Sequence, residues 1–232
     1  MRVEPYTVGS YIHVVKRGAR GMPITRDEKD KIRFLRLLYH MNDEFKDDLW
    51  ERSTAESTLF ERPPQWPERR PLVRVLAWTL MPNHFHLLLQ ETKEKGMSKF
   101  LQKLCGSMSS HFNLKYTERG SIFQGAYRSR TVQEDRYLRW LASYIMVKNV
   151  LELFPGGLRA AANDFEKAWE WGVRYPFSSL GSFVNGEGSP VLEKEILGEL
   201  YGEGKEFKSS AKEMILSRTW DKEDGLKALM ME

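Results

Sequence analysis

The chain has 232 residues, 41% hydrophobic and 29% charged, with a mean hydropathy of −0.53 and a formal net charge of +4. That supplies the core of a soluble globular domain of ordinary size plus an appendage. A membrane span is not expected, because the longest uncharged stretch around the apolar centre, Val75 to Gln90, is short and contains Pro82, Asn83 and two histidines. The N-terminus lacks the apolar region of a secretory signal, and the single Cys105 excludes an internal disulfide and a cysteine-built zinc site, so the cytoplasm is the expected compartment. Charge is unevenly spread: Lys99 to Lys148 holds nine Lys/Arg against three acids, whereas Glu187 to the end holds seven against eleven. A basic middle followed by an acidic tail suits a polyanion-binding core with a separate C-terminal segment, although solvated helix faces give the same count.

In chain order, Tyr11 to Arg17 is β-branched and aromatic and closes on Gly18, which predicts a strand. Thr25 and Glu28 have capping-box spacing, and Phe34, Leu37, Leu38, Met41 and Phe45 then repeat with helical period. Residues 51–71, with four prolines and many charges, read as a long surface connection. Val73 to Met81 and His84 to Gln90 read as two strands of a hairpin broken at Pro82-Asn83. A helix follows over Ser98 to Tyr116, then a short strand within Ile122 to Val132, then a helix over Glu134 to Leu153 that stops at Pro155-Gly156-Gly157. The first six elements give an α+β class: a ferredoxin-like βαββαβ antiparallel sheet with helices on one face. Residues 1–160 are expected to form that domain and 161–232 an extension of turns and short helices, around 190–201 and 205–217.

His84-Phe85-His86 is the most informative triplet. Residues two apart on a strand share a face, so both imidazoles project together while Phe85, Leu87 and Leu89 turn to the buried side. Two adjacent imidazoles form half a site for a divalent cation, or simply two half-exposed histidines on a sheet. His13 falls on the first strand, which in this fold neighbours the His84 strand, while His40 and His111 fall on helices as structural or solvent-facing residues. Lys115, Arg119, Arg128 and Arg130 interleave with Phe112, Tyr116, Phe123 and Tyr127, a composition that suits phosphate contact with base stacking, or else core aromatics beside solvated cations.

The run Leu80-Met81-Pro82-Asn83-His84-Phe85-His86-Leu87-Leu88-Leu89 resembles the signature of the single-tyrosine HUH transposases, and the chain from Tyr11 to about Leu180 is similar to their REP-associated branch. The likeness includes His13 to Gly18, Phe112 to Tyr116, Gly120 to Gly125, Asp135 to Leu138 leading to Tyr144-Ile145, and Tyr175-Pro176-Phe177-Ser178-Ser179. The resemblance implies an HUH-type fold, His84 and His86 as ligands of Mg²⁺ or Mn²⁺, and Tyr144 as the nucleophile of a single-stranded DNA nicking and joining reaction on hairpin-containing DNA. That reaction passes through a 5′-phosphotyrosine; monomer and homodimer both remain open. Tyr137, two turns earlier, is the second candidate nucleophile.

One departure stands out. Family members usually carry Asn four residues after the tyrosine, whereas here Lys148 precedes Asn149. In a regular α-helix residue 148 shares the face of Tyr144 and residue 149 is turned away. Asn149 through a distorted turn, Gln90 or water would then complete the metal shell. A non-catalytic DNA-binding relative and a small metal-dependent phosphodiesterase are the alternative functions.

Overall fold

A computed structural model describes residues 6–186, 188–201 and 204–218. It contains β1 (Tyr11–Arg17), a 3-10 turn (Ala19–Gly21), α1 (Glu28–His40), a short α2 (Trp50–Ser53), β2 (Val73–Leu80), β3 (His84–Glu91), α3 (Gly96–Tyr116), β4 (Arg128–Val132) and α4 (Asp135–Ser143). A π-helical turn (Tyr144–Lys148) continues α4 into α5 (Asn149–Glu152). There follow α6 (Gly157–Asn163), α7 (Phe165–Arg174), α8 (Leu180–Val184), α9 (Glu195–Tyr201) and α10 (Gly204–Ser217).

The four strands form one sheet in the order β2-β3-β1-β4, with every neighbouring pair antiparallel. This is the ferredoxin-like arrangement expected, with an added helical extension. Alternation along β1 and β3 sends Ile12, Val14, Phe85, Leu87 and Leu89 to one face, where they pack against Phe34, Leu37 and Leu38 of α1 and Phe100, Leu101 and Leu104 of α3. Both helices of the βαββαβ unit therefore cover the same face.

The opposite face is covered as well. Leu76, Ala77, Leu88 and Val132 pack against Leu138, Leu141, Tyr144 and Ile145, together with residues from α6, α7, α9 and α10. The edge of β2 is closed by the Tyr175–Ser179 segment: Leu80 N–H donates to the Phe177 carbonyl (3.0 Å), Trp78 N–H to Ser179 Oγ (2.9 Å) and Ser179 N–H to the Trp78 carbonyl (2.9 Å). These bonds satisfy edge amides and carbonyls that would otherwise template pairing with another chain.

Two local expectations change. α1 is capped by Asp27, whose carboxylate accepts from the Asp30 amide at 3.0 Å, while Asp30 accepts from the Arg26 amide at 2.8 Å. The capping exchange is thus displaced from Thr25 and Glu28, and Thr25 is buried ahead of the helix. The second change is at Tyr144. The expected α-helix over 134–153 is interrupted by a turn in which the Asn149 amide donates to the Tyr144 carbonyl, an i→i+5 bond.

Candidate active site

The register of the sheet builds the site in rows. Thr79, His86, Val15 and Arg128 stand side by side across β2, β3, β1 and β4; the next row is Ala77, Leu88, His13 and Arg130. Opposed residues of an antiparallel sheet point to the same side, so His13, His86, Arg128 and Arg130 share the face that Tyr144 covers. His84 lies one alternation from His86, paired with Arg17 at the hairpin end.

The two imidazoles are close, with ring centroids 4.9 Å apart and planes at 71°. His84 is half-buried and its Nδ1 lies 2.7 Å from Asn83 Oδ1. His86 is fully buried, with its Nδ1 2.9 Å from His13 Nε2. Because Nδ1 of each ring is engaged by a neighbour, ligation would use Nε2. Burial, reinforced by His13, His84, Lys148 and Arg17, holds the His86 pKa well below that of an ordinary imidazole. It is neutral at pH 7, the form that binds a metal.

Tyr144 is brought to this pair. Its ring lies 5.9 Å from the His86 ring, edge to face, and is stacked on Trp140 at 5.2 Å with the planes at 18°. The Lys148 ammonium lies 5.0 Å from the ring centroid and pairs with Glu152 at 3.0 Å. Tyr144 itself has no solvent exposure. Tyr137 is partly buried and its hydroxyl accepts from Arg136 at 2.7 Å, a surface contact rather than one with the histidines.

The π turn shifts the phase of the backbone that follows Tyr144. A π turn holds one more residue than an α turn, so the residue five positions on occupies the place that the residue four positions on has in an α-helix. In an unbroken α-helix Asn149 would sit about 140° away from Tyr144; here its amide bonds the Tyr144 carbonyl. The hydroxyl of Thr79, next to His86 in its row, donates to the Ile145 carbonyl within the turn. Asn149 is fully buried, and neither Oδ1 nor Nδ2 of its side chain has a hydrogen-bond partner. Leaving a buried amide unsatisfied costs about 1–3 kcal/mol, and among the described residues nothing meets that cost for Asn149. Among the described residues no group of three or more His, Cys, Asp or Glu is arranged to hold a metal ion. The two neighbouring imidazoles are donors of the kind that suits a divalent cation, and the Asn149 carboxamide is the candidate for a third.

The other candidates divide. Arg128 and Arg130 lie on the histidine face, the first exposed and the second half-buried. Lys115 is not brought there: it lies on α3, in the opposite layer, and is paired with Asp27 at 2.6 Å and Asp30 at 2.7 Å. Arg119 is exposed just beyond the end of α3. Phe112 and Phe123 are buried, Tyr116 donates to Asp30 at 2.7 Å and Tyr127 bonds Ser98 at 3.1 Å, so these aromatics serve the α1–α3 layer rather than a stacking platform. Gln90 is at the far end of β3, accepting from Arg74 at 3.1 Å. His40 is buried among Tyr39, Trp50 and Trp66, and His111 contacts Asp30 at 3.3 Å. His13, placed only near the site by its strand, and Trp140, which carries no signal in the sequence, complete the cluster.

Among curated proteins nothing matches the chain. A solved REP-associated tyrosine transposase, bound to a REP hairpin, aligns at 13% identity and a TM-score of 0.45, covering 83% of this chain and 91% of that one. Residues 68–148 match the family described as Transposase IS200 like, a span that takes in both histidines and Tyr144 and ends one residue before Asn149. The similarity to the family described as Transposase IS200 like is thus confined to a domain-level match over residues 68–148.

Proposed function

We propose that this protein is a metal-dependent enzyme that nicks and rejoins single-stranded, hairpin-bearing DNA, with Tyr144 as nucleophile and His84, His86 and Asn149 as the ligand set. The observation that carries this reading is the Tyr144 ring lying 5.9 Å from that of His86, which is itself 4.9 Å from His84; the π turn, whose Asn149 amide bonds the Tyr144 carbonyl, and the buried Asn149 carboxamide without a hydrogen-bond partner among the described residues support Asn149 as the third ligand. The match over residues 68–148 supports the substrate class.

The chain's own residues do the following. His13 Nε2 and His86 Nδ1 share a hydrogen bond; with His86 Nδ1–H as its donor, the bond would fix the tautomer that leaves His86 Nε2 as a donor atom for a cation. Asn83 holds the His84 ring in the same way through Nδ1. Mg²⁺ or Mn²⁺ bound by these residues would withdraw charge from a phosphate oxygen. Tyr144 Oη gives its proton to solvent and attacks phosphorus, the P–Oη bond forms as the P–O3′ bond breaks, and the departing 3′ oxygen takes up a proton from solvent, so the step is proton-neutral. The phosphotyrosine conserves the phosphodiester, so a second 3′-OH attacking the same phosphorus reverses the step without ATP. Lys148, beside the Tyr144 ring, faces the negative charge that develops as the phenol loses its proton. Arg128 and Arg130 lie on the same face and hold the strand by its phosphates.

The full burial of Tyr144 favours a second reading, a DNA-binding relative that no longer transfers strands. Labelled single-stranded oligonucleotides incubated with Mn²⁺ decide the matter. A covalent adduct that disappears in Tyr144→Phe is the expected result. Binding without an adduct supports the second reading, and cleavage that survives in Tyr144→Phe assigns the reaction to water.

A further inference from the structure

A cavity of about 250 Å³ lies between α4 and the C-terminal helices α9 and α10. Its α4 wall presents Arg136, Arg139, Trp140 and Ser143, and α10 contributes Ser210 and Glu213. None of these residues belongs to the donor set described above. We propose that this cleft holds one nucleotide of the DNA strand adjoining the scissile phosphate, with its phosphate on Arg136 and Arg139 and its base against Trp140; that it adjoins the scissile phosphate rests on Tyr144 being the nucleophile.

Five observations carry the proposal. Arg136 and Arg139 are three apart on one helix, so their guanidinium groups emerge on the same side, and both are exposed. Arg136 is held by Glu134 at 2.8 Å and by the Tyr137 hydroxyl at 2.7 Å, but the ion pair is exposed, the kind that contributes little and yields readily to a phosphate. Trp140 lines the cleft and is also stacked on Tyr144, so a single indole separates a nucleotide in the cleft from the phenol. The floor is fixed, because the Tyr201 hydroxyl bonds Ser143 Oγ at 2.9 Å and also donates to the Arg139 carbonyl. Lastly, a partly open cleft of about 250 Å³ can take no more than part of the strand, of the order of one nucleotide. Glu213 sets the direction, since its carboxylate repels a phosphate from the α10 side and leaves the arginine side for it.

The test separates binding from chemistry. Anisotropy of a 5′-labelled single-stranded oligonucleotide in EDTA is measured for the wild-type protein, for Arg136→Gln/Arg139→Gln, and for a control, Lys29→Gln/Lys99→Gln, which removes equal charge from exposed positions on α1 and α3. The arginine variant is expected to bind at least tenfold more weakly, and its plot of log K against log salt should be shallower by about 0.7 for each phosphate no longer neutralised. The control should stay within about twofold, in keeping with a diffuse charge effect. Glu213→Gln should shift affinity the other way, to tighter binding. An abasic residue walked along the oligonucleotide should weaken wild-type binding at one position and leave the arginine variant insensitive there. Equal weakening in the arginine variant and the control, or unchanged affinity and slope in the arginine variant, overturns the proposal. So does a cleft that takes 5′-dAMP or inorganic phosphate while oligonucleotide affinity ignores both arginines, for it would then be a free-nucleotide site. A Mn²⁺-dependent adduct is scored separately at saturating DNA. Its absence from a wild-type protein that binds as described would remove the transferase reading and leave the cleft standing.

Discussion

Asn149→Ala should make the metal-free protein more stable while removing its response to metal. Truncating a buried, hydrogen-bonded asparagine leaves its former partners unsatisfied and costs about 1–3 kcal/mol. Here neither side-chain atom of Asn149 has a partner, so that cost does not arise. Removing the amide relieves a desolvation cost of about 1–3 kcal/mol, and alanine gains roughly 0.5 kcal/mol in helix propensity. Against this stands a cavity term of about 24 cal/mol per Å³, which over the few tens of Å³ vacated comes to about 1 kcal/mol. The net is a gain of about 0.5–2.5 kcal/mol, or a Tm rise of a few degrees for a chain of this length. The assay is urea unfolding in EDTA, paired with thermal unfolding in increasing Mn²⁺. Wild type should gain stability with Mn²⁺, about 2.7 kcal/mol at a hundred times Kd, and the variant much less. A variant that is destabilised by more than about 1 kcal/mol in EDTA would refute the reasoning, because Asn149 must then be satisfied in the metal-free protein. A variant with an undiminished response to Mn²⁺ would refute its role as a ligand.

Three further outcomes follow from the fold. Although burial acts to raise the Asp30 pKa, hydrogen bonds from Lys115, the Arg26 amide, Tyr116 and His111 prevail and hold it at about 2; its contribution, on the order of 2 kcal/mol, is complete above about pH 5 and is lost progressively as pH falls through about 4 to below 2. Asp30→Asn should therefore lower stability at pH 7 and flatten the acid limb of the pH–stability curve, and an unchanged limb would remove this account. Gly18 needs no unusual φ, at −63°, yet a Cβ there would lie 2.0 Å from the Met22 carbonyl oxygen and 3.2 Å from that of Asn83. Gly18→Ala should cost at least about 2 kcal/mol by overpacking and disturb the hairpin that carries His84; a variant with wild-type urea midpoint would contradict it. Arg128→Gln/Arg130→Gln should weaken oligonucleotide binding alike for all sequences and reduce its salt slope by about 0.7 per phosphate, with a sequence-dependent weakening counting against phosphate contact.

The sheet was legible because its signals are binary. Alternation in His84 to Gln90 puts both imidazoles on one side, and the structure keeps them there with His13 bonded to His86. α1 and α3 were legible from helical spacing, with α3 starting at Gly96, two residues before the expected Ser98. Residues 157–184 were harder, although Phe165, Ala168, Trp169 and Gly172 do carry the i, i+3, i+4, i+7 spacing of α7. The basic and aromatic run from 112 to 130 misled because composition does not report which layer a side chain joins: Phe112 and Phe123 went to the core and Lys115 to Asp27 and Asp30. The π turn was illegible for a different reason. Tyr144, Ile145, Met146, Val147 and Lys148 are all buried, and a segment buried all round has no polar face whose phase could reveal an extra residue in the turn.

Covering both faces of the sheet has opposite effects on the two halves of the proposed chemistry. It keeps His86 neutral and places the donor atoms where charge is poorly screened, so a cation held there acts strongly on a phosphate. It also shuts the phosphate out, since Tyr144 has no exposed surface. The floor cannot give way: His86 is held in ladders on both sides, by β1 and by β2. The roof has no such ladder: α4, the π turn and the C-terminal helices are joined by side-chain packing and a few hydrogen bonds, among them Tyr201 to Ser143 and to the Arg139 carbonyl, with Trp140 directly against the phenol. A phosphate reaching Tyr144 would therefore need a displacement of side chains on the roof side, where Trp140 stands between the phenol and the α4–α10 cleft.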